Sequence, residues 1–308
     1  MARTLVISQH QECFRERLEV EPLPDLDAHY CETAAQAQDH CAGVEIIFGA
    51  PDQVLPLLAL CPNLKWVQST WAGVTPLLNS SHRGYQLTGV KGVFGPPMSE
   101  YVLGWILALE RNILQRAKAT QWDSAAEYGL QGKTVGIMGT GSIGVHVAGS
   151  CRRFGMNTRG LNSNGRVVDN FDETFAGAER LAFAQNLDYL VALLPDTRAT
   201  DNQVDAELLA RLKPGATFIN AGRGNCLVEQ ALLDAMDKRQ ISHAVLDVFR
   251  EEPLPAAHPF WSIANVHITS HTSAPTRDFE IVKIFCENYR RYKAGEELLY
   301  PVNFERGY

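Results

Sequence analysis

Length, composition and charge restrict the function classes open to this chain. It has 308 residues, of which 45% are hydrophobic and 20% charged, and its net charge at pH 7 is −7. These values favour a globular protein of about two domains. The acidic balance and the lack of basic clusters argue against a nucleic-acid partner. No apolar run is long enough to span a bilayer, so we expect no membrane association.

The cysteines and the first residues bear on metal sites and on the cellular compartment. Seven cysteines are scattered along the chain without a CxxC pair, which indicates neither a zinc site nor a disulfide framework. The first ten residues lack the basic start and long apolar run of a secretory signal. We therefore expect a cytoplasmic protein with reduced thiols and no metal.

Short apolar runs in the first hundred residues predict strands. Each run is β-rich and bounded by Pro, Asn or Gly. The runs are 3–8, 44–49, 64–70 and, more weakly, 85–90. Segments between them, such as 51–61, are predicted to be helical. This alternation favours an α/β unit with a parallel sheet.

The next region predicts a connection to a second domain. Pro96 and Pro97 predict a break, after which Ser99 would cap a helix over 100–112 with apolar residues at helical spacing. This helix would lead into the second domain. The more polar stretch 113–131 is predicted to be an arm that reaches another subunit.

From Lys133 a second α/β series begins, with six predicted strands. They are 133–138, 157–162, 189–194, 217–222, 243–249 and 266–270. This series resembles an open doubly wound sheet. A last helix over 278–294 leads to a tail that would return to the first domain. The predicted boundaries are therefore 1–98 plus 278–308 for a substrate domain and 99–277 for a dinucleotide-binding domain.

A glycine-rich turn predicts where a dinucleotide binds. Gly139, Gly141 and Gly144 fit the pattern G-x-G-x-x-G between an apolar strand and a helix, the context that makes this pattern specific. The first glycine permits the tight turn, the second lets the backbone approach a pyrophosphate, and the third lets helix and strand pack closely. The helix start at Ser142 and Ile143 offers free N–H groups to phosphates. The alternative is a tight turn without a ligand.

The end of the second strand of this series bears on the choice of cofactor. An acidic residue there would hold the ribose hydroxyls of NAD and repel a 2′-phosphate. The chain instead has Asn162, followed by Ser163, Asn164 and Arg166, which can donate hydrogen bonds or pair with a phosphate. The sequence therefore favours NADP, with NAD possible, unless Arg166 is simply a solvated surface charge.

Three polar residues follow apolar strands and predict the chemistry. Arg223, Glu252 and His271 each come after a different predicted strand, and in open α/β sheets ligands bind at the carboxyl ends of the strands. Arg223 would bind a substrate carboxylate and polarise the ketone. His271 would protonate the ketone oxygen, and Glu252 would hydrogen-bond and orient His271. Taken singly, each of these residues also has an ordinary structural explanation.

With these motifs, the chain resembles the D-isomer-specific 2-hydroxyacid dehydrogenase family along nearly its whole length. The resemblance rests on these segments: WVQSTWAGV, GVFGPPMSEYVLGWILA, LQGKTVGIMGTGSIG, LLPDTRAT, ELLARLKPGATFINAGRG, LDVFREEPLP and ITSHTSA. The closing RGY and the non-acidic NSNGR loop are similar to its glyoxylate/hydroxypyruvate reductase branch. The resemblance implies two Rossmann-like or flavodoxin-like domains with an active-site cleft between them, and a homodimer through the cofactor domain.

The resemblance also implies roles for individual residues. The catalytic triad of the family falls on Arg223, Glu252 and His271. Further implied contacts are with the substrate carboxylate at the backbone amides of Ala72 and Gly73, and with cofactor at Leu194, Pro195, Thr200, Ala221 and Asp247. Two positions depart from the family pattern: Trp71 stands where many members have Gly, and Ser270 replaces the Pro before the catalytic His. Trp71 would either line the substrate site and narrow it for small acids, or pack against its own domain.

The function that follows is reduction of a small 2-keto acid to the D-2-hydroxy acid, with hydride from NAD(P)H and a proton from His271. One alternative is a non-catalytic dinucleotide sensor or corepressor on the same scaffold, against which the intact triad argues. Another is a dehydrogenase of a different small anion, such as formate or phosphite. The sequence does not discriminate well against this second alternative.

Overall fold

The chain folds into two compact α/β units. The computed structural model describes residues 2–23, 25–122, 124–125 and 129–305. One unit comprises Met1–Val93 and Thr276–Tyr308, and the other comprises Phe94–Pro275. These divisions fall slightly earlier in the chain than the predicted boundaries at 98/99 and 277/278.

A five-stranded parallel sheet forms the centre of the first unit. In the spatial order β2-β1-β3-β4-β5, its strands are β1 (Ala2–Ile7), β2 (Leu26–Cys31), β3 (Ile46–Gly49), β4 (Trp66–Ser69) and β5 (Gln86–Thr88). The four predicted strands are confirmed: β1 is displaced by one residue from its predicted bounds, and the other three are shorter than predicted. The edge strand β2 was not predicted, since its sequence LDAHYC mixes polar and apolar residues and most of it is only partly buried.

A seven-stranded parallel sheet forms the centre of the second unit. In the spatial order β12-β11-β10-β9-β6-β7-β8, its strands are β6 (Thr134–Met138), β7 (Asn157–Asn162), β8 (Glu173–Ala176), β9 (Tyr189–Ala192), β10 (Ala216–Asn220), β11 (Ile241–Leu246) and β12 (Val266–Ile268). The six predicted strands are confirmed. The prediction missed β8, a second edge strand, whose sequence ETFA is not fully buried at any position.

Helices cover both sheets. In the first unit they are α1 (Gln11–Val20), α2 (Ala34–Ala37), α3 (Pro51–Val54), α4 (Thr75–Leu78) and the last helix, α11 (Asp278–Ala294). In the second unit they are α5 (Gly95–Glu110), α6 (Ile113–Arg116), α7 (Ser142–Arg153), α8 (Arg180–Ala184), α9 (Ala206–Leu209) and α10 (Glu229–Asp237). No helix in the described part of the chain is long and apolar enough to cross a membrane.

Two helix predictions were wrong in detail. Pro96 and Pro97 do not break the chain but lie in the first turn of α5, where a missing N–H costs nothing. Ser99 is therefore inside the helix and donates its hydroxyl to the Gly95 carbonyl at 2.9 Å. The predicted helix 51–61 is α-helical only over α3 and continues as a 3-10 helix over Leu55–Leu60, in which Pro56 removes a backbone donor.

The tail returns to the first unit, as predicted. Pro301 forms an antiparallel bridge with Thr88, and the Val302 N–H donates to the Leu87 carbonyl at 2.8 Å. The Asn288 amide of α11 donates to the Leu299 carbonyl at 3.1 Å, which holds the start of the tail.

The order of the second sheet determines where a ligand can bind. The chain runs from β6 outwards through β7 and β8, then returns to β9 on the opposite side of β6. A crevice for ligands lies outside the carboxyl ends of strands at such a reversal. The segments after β6, β7, β9, β10, β11 and β12 all start from this one edge because every pair in the sheet is parallel.

Candidate active site

The glycine turn after β6 has the geometry that close phosphate approach requires. Gly139 has a φ of +105°, a conformation that residues with a side chain rarely adopt. A Cβ on Gly144 would lie 2.0 Å from the Gly139 carbonyl oxygen, so helix and strand could not pack as they do. A Cβ on Gly141 would meet no atom within 4 Å, which leaves open space in front of the turn.

Helix α7 presents free donors to that open space. It begins at Ser142, and no side chain caps its N-terminus. The N–H groups of Ser142, Ile143 and Gly144 lie in the first turn, where helix geometry provides no intrahelical partner. These donors, the positive end of the helix dipole and the absent side chain at Gly141 together fit the pyrophosphate of a dinucleotide.

The loop after β7 is a compact polar turn built on Asn162. The Asn162 side-chain amide donates to the Arg166 carbonyl at 2.9 Å, and its oxygen accepts the Asn164 N–H at 3.2 Å. The Asn162 side chain therefore holds the shape of the loop, a role that the sequence analysis did not identify. Ser163, Asn164 and Arg166 are exposed, which places hydroxyl, amide and guanidinium donors on the outside of this turn.

The segments after β9 and β10 lie against each other. A Cβ on Gly222 would come within 2.7 Å of the Leu194 backbone nitrogen, so glycine is needed for this approach. The Thr200 hydroxyl donates to the Pro195 carbonyl at 2.6 Å and closes the loop that follows β9. Ala221, the first residue after β10, is buried, with 5% of its surface exposed.

Arg223 follows β10, and its backbone is fixed by a buried asparagine. The Asn220 side chain donates to the Arg223 carbonyl at 3.2 Å and accepts the Gly222 N–H at 3.2 Å. The guanidinium donates to the Gly222 carbonyl at 2.6 Å. Burial lowers the pKa of Arg223, and the nearby carboxylates of Glu252 and Asp196 oppose that shift. Arginine stays charged at any physiological pH.

Glu252 and His271 form a hydrogen-bonded pair. The distance between the Glu252 Oε2 and the His271 Nδ1 atoms is 2.8 Å. The other carboxylate oxygen of Glu252 accepts the Phe249 N–H at 2.9 Å, which fixes the carboxylate. His271 has a φ of +54°, held by its N–H bond to the Asp247 carbonyl at 2.8 Å. With Nδ1 bound to Glu252, Nε2 is the nitrogen left to face a substrate.

Asp247 anchors the loop that carries the histidine. This carboxylate is completely buried and accepts the Thr272 N–H at 2.8 Å, the Ser273 N–H at 3.0 Å and the Thr269 hydroxyl. Tyr101 on α5 lies 2.8 Å from the Thr269 hydroxyl and extends this network. The resemblance implies a cofactor contact for Asp247. The structure directs its carboxylate to the loop, and Tyr101 and Thr269 are positioning residues that the sequence did not indicate.

Arg250 ties the glutamate loop to its neighbours. Its guanidinium forms an ion pair with Asp201 at 3.1 Å and hydrogen-bonds the Asn202 side chain. It also donates to the backbone carbonyls of Asn225 and Leu227, in the segment just after the arginine of the triad. Three loops that are distant in sequence are thereby held together, and sequence reasoning missed this residue.

Gly224 brings the same loops into backbone contact. A Cβ there would lie 1.9 Å from the Phe249 carbonyl carbon and 2.4 Å from the Arg250 nitrogen. Only glycine permits two chain segments to approach so closely, and this contact sets the spacing between the arginine and glutamate loops.

The triad lines one cavity within the second unit. The cavity has a volume of about 320 Å³. Its walls are formed by Asp196, Arg223, Gly224, Asn225, Phe249, Arg250, Glu252 and His271. The Arg223 guanidinium, which can bind a carboxylate, therefore borders the same small cavity as the His271 imidazole, which can donate a proton. The described residues contain no group of three or more side chains suited to holding a metal ion.

The remaining predicted site residues lie in the first unit, on the loop after β4. The Ser69 hydroxyl accepts the Trp71 N–H at 3.0 Å and lies 2.8 Å from its carbonyl oxygen, which fixes the loop. Trp71 and Ala72 are exposed and Gly73 is half-buried. The closing residues 306–308 lie outside the described residues, as do 123 and 126–128 of the predicted arm. The described part of that arm includes α6, and Trp122 is 94% exposed.

Comparison with known protein families identifies one match. The NAD binding domain of the D-isomer specific 2-hydroxyacid dehydrogenases matches residues 103–273. Among curated proteins, glyoxylate/hydroxypyruvate reductase A of Serratia proteamaculans is 34% identical over 285 residues, which cover 88% of this chain and 89% of that protein.

Solved structures give the same result. A D-isomer specific 2-hydroxyacid dehydrogenase family protein of Aeromonas salmonicida is 37% identical, with a TM-score of 0.92 over 98% of this chain and 99% of that one. The NADPH-dependent glyoxylate/hydroxypyruvate reductase of Sinorhizobium meliloti, solved with NADP and sulfate, is 28% identical. Its TM-score is 0.87 over the full length of both chains.

Proposed function

Since the chain belongs to the D-isomer specific 2-hydroxyacid dehydrogenase family and is an NAD(P)-dependent oxidoreductase, we propose that it reduces a small 2-keto acid to the D-2-hydroxy acid. We infer glyoxylate-like or hydroxypyruvate-like substrates, which agrees with the names of its curated relatives. The observation that carries this proposal is the meeting of Arg223, Glu252 and His271 around one cavity.

Arg223 would bind and orient the substrate. Its guanidinium offers planar paired donors that match a carboxylate, and burial strengthens such a charge-assisted bond. Donors on the same group would also stabilise negative charge that develops on the ketone oxygen. The backbone amides of Ala72 and Gly73 are proposed to contribute to carboxylate binding, as the family resemblance implies. Trp71, which departs from the family pattern, is proposed to contact the substrate.

His271 would supply the proton. The bound nicotinamide dinucleotide provides the hydride that reduces the keto carbon. The Glu252 carboxylate stabilises the imidazolium and fixes the ring, so that the N–H at Nε2 is available for the ketone oxygen. After transfer, the neutral imidazole recovers a proton from water, because half of the His271 side chain is exposed.

The residues that we propose to hold the cofactor follow the carboxyl ends of strands in the second sheet. We assign the pyrophosphate to the turn at Gly139 and Gly141 and to the first turn of α7. Further contacts are proposed for Leu194, Pro195, Thr200, Ala221 and Asp247. The Asp247 carboxylate already accepts three hydrogen bonds from the loop that carries His271, which leaves it little capacity to bind a cofactor. We therefore expect its main effect to be on the conformation of that loop.

We further propose that NADPH is preferred over NADH. The exposed Ser163, Asn164 and Arg166 replace the acid that would select against a 2′-phosphate, and each charge-assisted bond contributes about 1.5–3 kcal/mol. The Sinorhizobium meliloti relative is NADPH-dependent and was solved with NADP. Calorimetric titration with NADP+ and NAD+, together with kcat/KM for both reduced forms, tests this preference. We expect kcat/KM to be at least tenfold higher with NADPH than with NADH, and we expect this ratio to decrease in Arg166→Ala.

A panel of 2-keto acids tests the proposed activity. Glyoxylate, hydroxypyruvate and pyruvate, each with NADPH and with NADH, should show the highest kcat/KM for the smallest acids. The absence of turnover with every acid would contradict the proposal.

Two further properties are proposed from the family resemblance. We propose a homodimer formed through the second unit, which light scattering would detect as a mass of twice 34.1 kDa. We also propose a cytoplasmic location, which agrees with seven cysteines that are all free thiols. A monomeric mass, or export in a fractionation experiment, would contradict them.

A further inference from the structure

The charged groups around the cavity are not all available to a ligand. The Arg250 guanidinium is held by Asp201, Asn202 and backbone carbonyls. The Glu252 carboxylate is bound by His271 and by a backbone N–H. When the His271 ring is protonated, this carboxylate compensates its charge. Among the described cavity walls, the charges that remain without an ion-pair partner belong to Arg223 and Asp196.

Arg223 and Asp196 differ in what they offer to a substrate. The described structure gives the Arg223 side chain one hydrogen bond, to the Gly222 carbonyl, so most of its five N–H donors remain available. The Asp196 carboxylate is exposed, lines the same cavity and has no hydrogen bond or ion pair among the described residues. The two groups are close enough that Asp196 favours the charged form of Arg223.

The backbone next to Asp196 is held in place. Asp196 follows Pro195 in the loop after β9, and the Thr200 hydroxyl closes that loop on the Pro195 carbonyl at 2.6 Å. A spherical cavity of 320 Å³ is only about 8 Å across, which is about one Debye length at physiological salt. Any second negative charge on a substrate bound to Arg223 would therefore lie within electrostatic reach of this carboxylate.

Building on the proposed function, we propose that Asp196 is a specificity-determining residue that restricts the site to 2-keto acids carrying a single negative charge. Among the described cavity walls, Arg223 is the one cation without an ion-pair partner, and it matches one carboxylate. A second carboxylate or a phosphate at the far end of the substrate would face Asp196 with no further unpaired cation among these walls. Like charges at this separation in a partly enclosed site repel each other strongly enough to change affinity on the order of tenfold.

The test compares substrates of different charge in matched variants. Asp196→Asn removes the charge with almost no change in shape, and Asp196→Glu keeps the charge. Asp237→Asn, at the end of α10 and outside the cavity walls, removes the same charge elsewhere. For each variant kcat/KM is measured with glyoxylate and hydroxypyruvate and with the dicarboxylates oxaloacetate and 2-ketoglutarate. Melting curves confirm folding, and Asp196→Ser provides a second neutral variant.

We expect the ratio of dicarboxylate to monocarboxylate kcat/KM to rise about tenfold in Asp196→Asn and Asp196→Ser. It should stay near the wild-type value in Asp196→Glu and Asp237→Asn. High salt should narrow the wild-type discrimination, since it screens exposed charges.

The outcomes separate this inference from the proposed function. If glyoxylate is reduced but the ratio does not change in the neutral variants, Asp196 does not select on charge and the proposed function stands. If kcat/KM changes by the same factor with all four substrates in the neutral variants, the inference is likewise overturned. If no variant, including the wild type, reduces any 2-keto acid, the proposed function fails and this inference fails with it.

Discussion

His271 and Glu252 are joined by a hydrogen bond of 2.8 Å between Nδ1 and Oε2, although they lie on loops that follow different strands. The glutamate is fixed by a backbone N–H, and the histidine backbone is held in a left-handed conformation by Asp247. Both partners are therefore oriented before any substrate binds. This preorganisation is what a proton donor requires, because a small displacement of the donor lowers the rate steeply.

Glu252→Gln tests this pairing through kcat/KM. A neutral amide holds and supports the protonated ring less well than a carboxylate does, so kcat/KM for 2-keto acid reduction should fall while cofactor binding persists. The matched control is Glu251→Gln, which removes a neighbouring charge outside the cavity walls. Equal kcat/KM values for wild type and Glu252→Gln would show that the two residues are not coupled during catalysis.

Arg223→Ala should abolish most of the activity while cofactor binding persists. Removal of a charge-assisted bond and of charge stabilisation in a partly buried site is expected to lower kcat/KM on the order of a thousandfold. Arg223→Lys should recover only part of it, since an ammonium cannot form the planar paired contact. Turnover at the wild-type level in Arg223→Ala would rule out the assigned role.

Gly224→Ala should destabilise the second unit. The new methyl group would lie 1.9 Å from the Phe249 carbonyl carbon, a backbone atom that cannot rotate away. We expect a loss of about 2 kcal/mol or more and a clear fall in Tm. Gly104→Ala is the control: a Cβ at this exposed site in α5 meets no atom within 4 Å, and alanine favours helices. Equal Tm values for the two variants would contradict the close contact.

The pair His243 and His267 should make stability depend on pH. Burial lowers the pKa of both residues below the ordinary value of 6.5, and the His243 charge lowers that of His267 further. The unfolded chain then binds protons that the folded chain does not, so stability is full above about pH 6.5 and falls as the pH decreases below it. His243→Gln should flatten this fall in Tm between pH 7 and 5. Parallel Tm curves for the two proteins would refute the effect.

The sequence was sufficient where local chemistry determines structure. The glycine turn was predicted because its three glycines sit between an apolar strand and a helix, and the triad because each member follows a predicted strand. The edge strands β2 and β8 were missed, since their partial exposure weakens the apolar pattern. Arg250 was missed because its partner Asp201 lies 49 residues away, and only the folded loops bring the two together.

Reduction of hydroxypyruvate with NADPH, with chiral separation of the product, tests the central claim most directly. The account predicts that the reduced nicotinamide is oxidised, that the product is D-glycerate, and that kcat/KM with NADPH exceeds that with NADH at least tenfold. The absence of oxidation with hydroxypyruvate and glyoxylate, or formation of the L product, would contradict it.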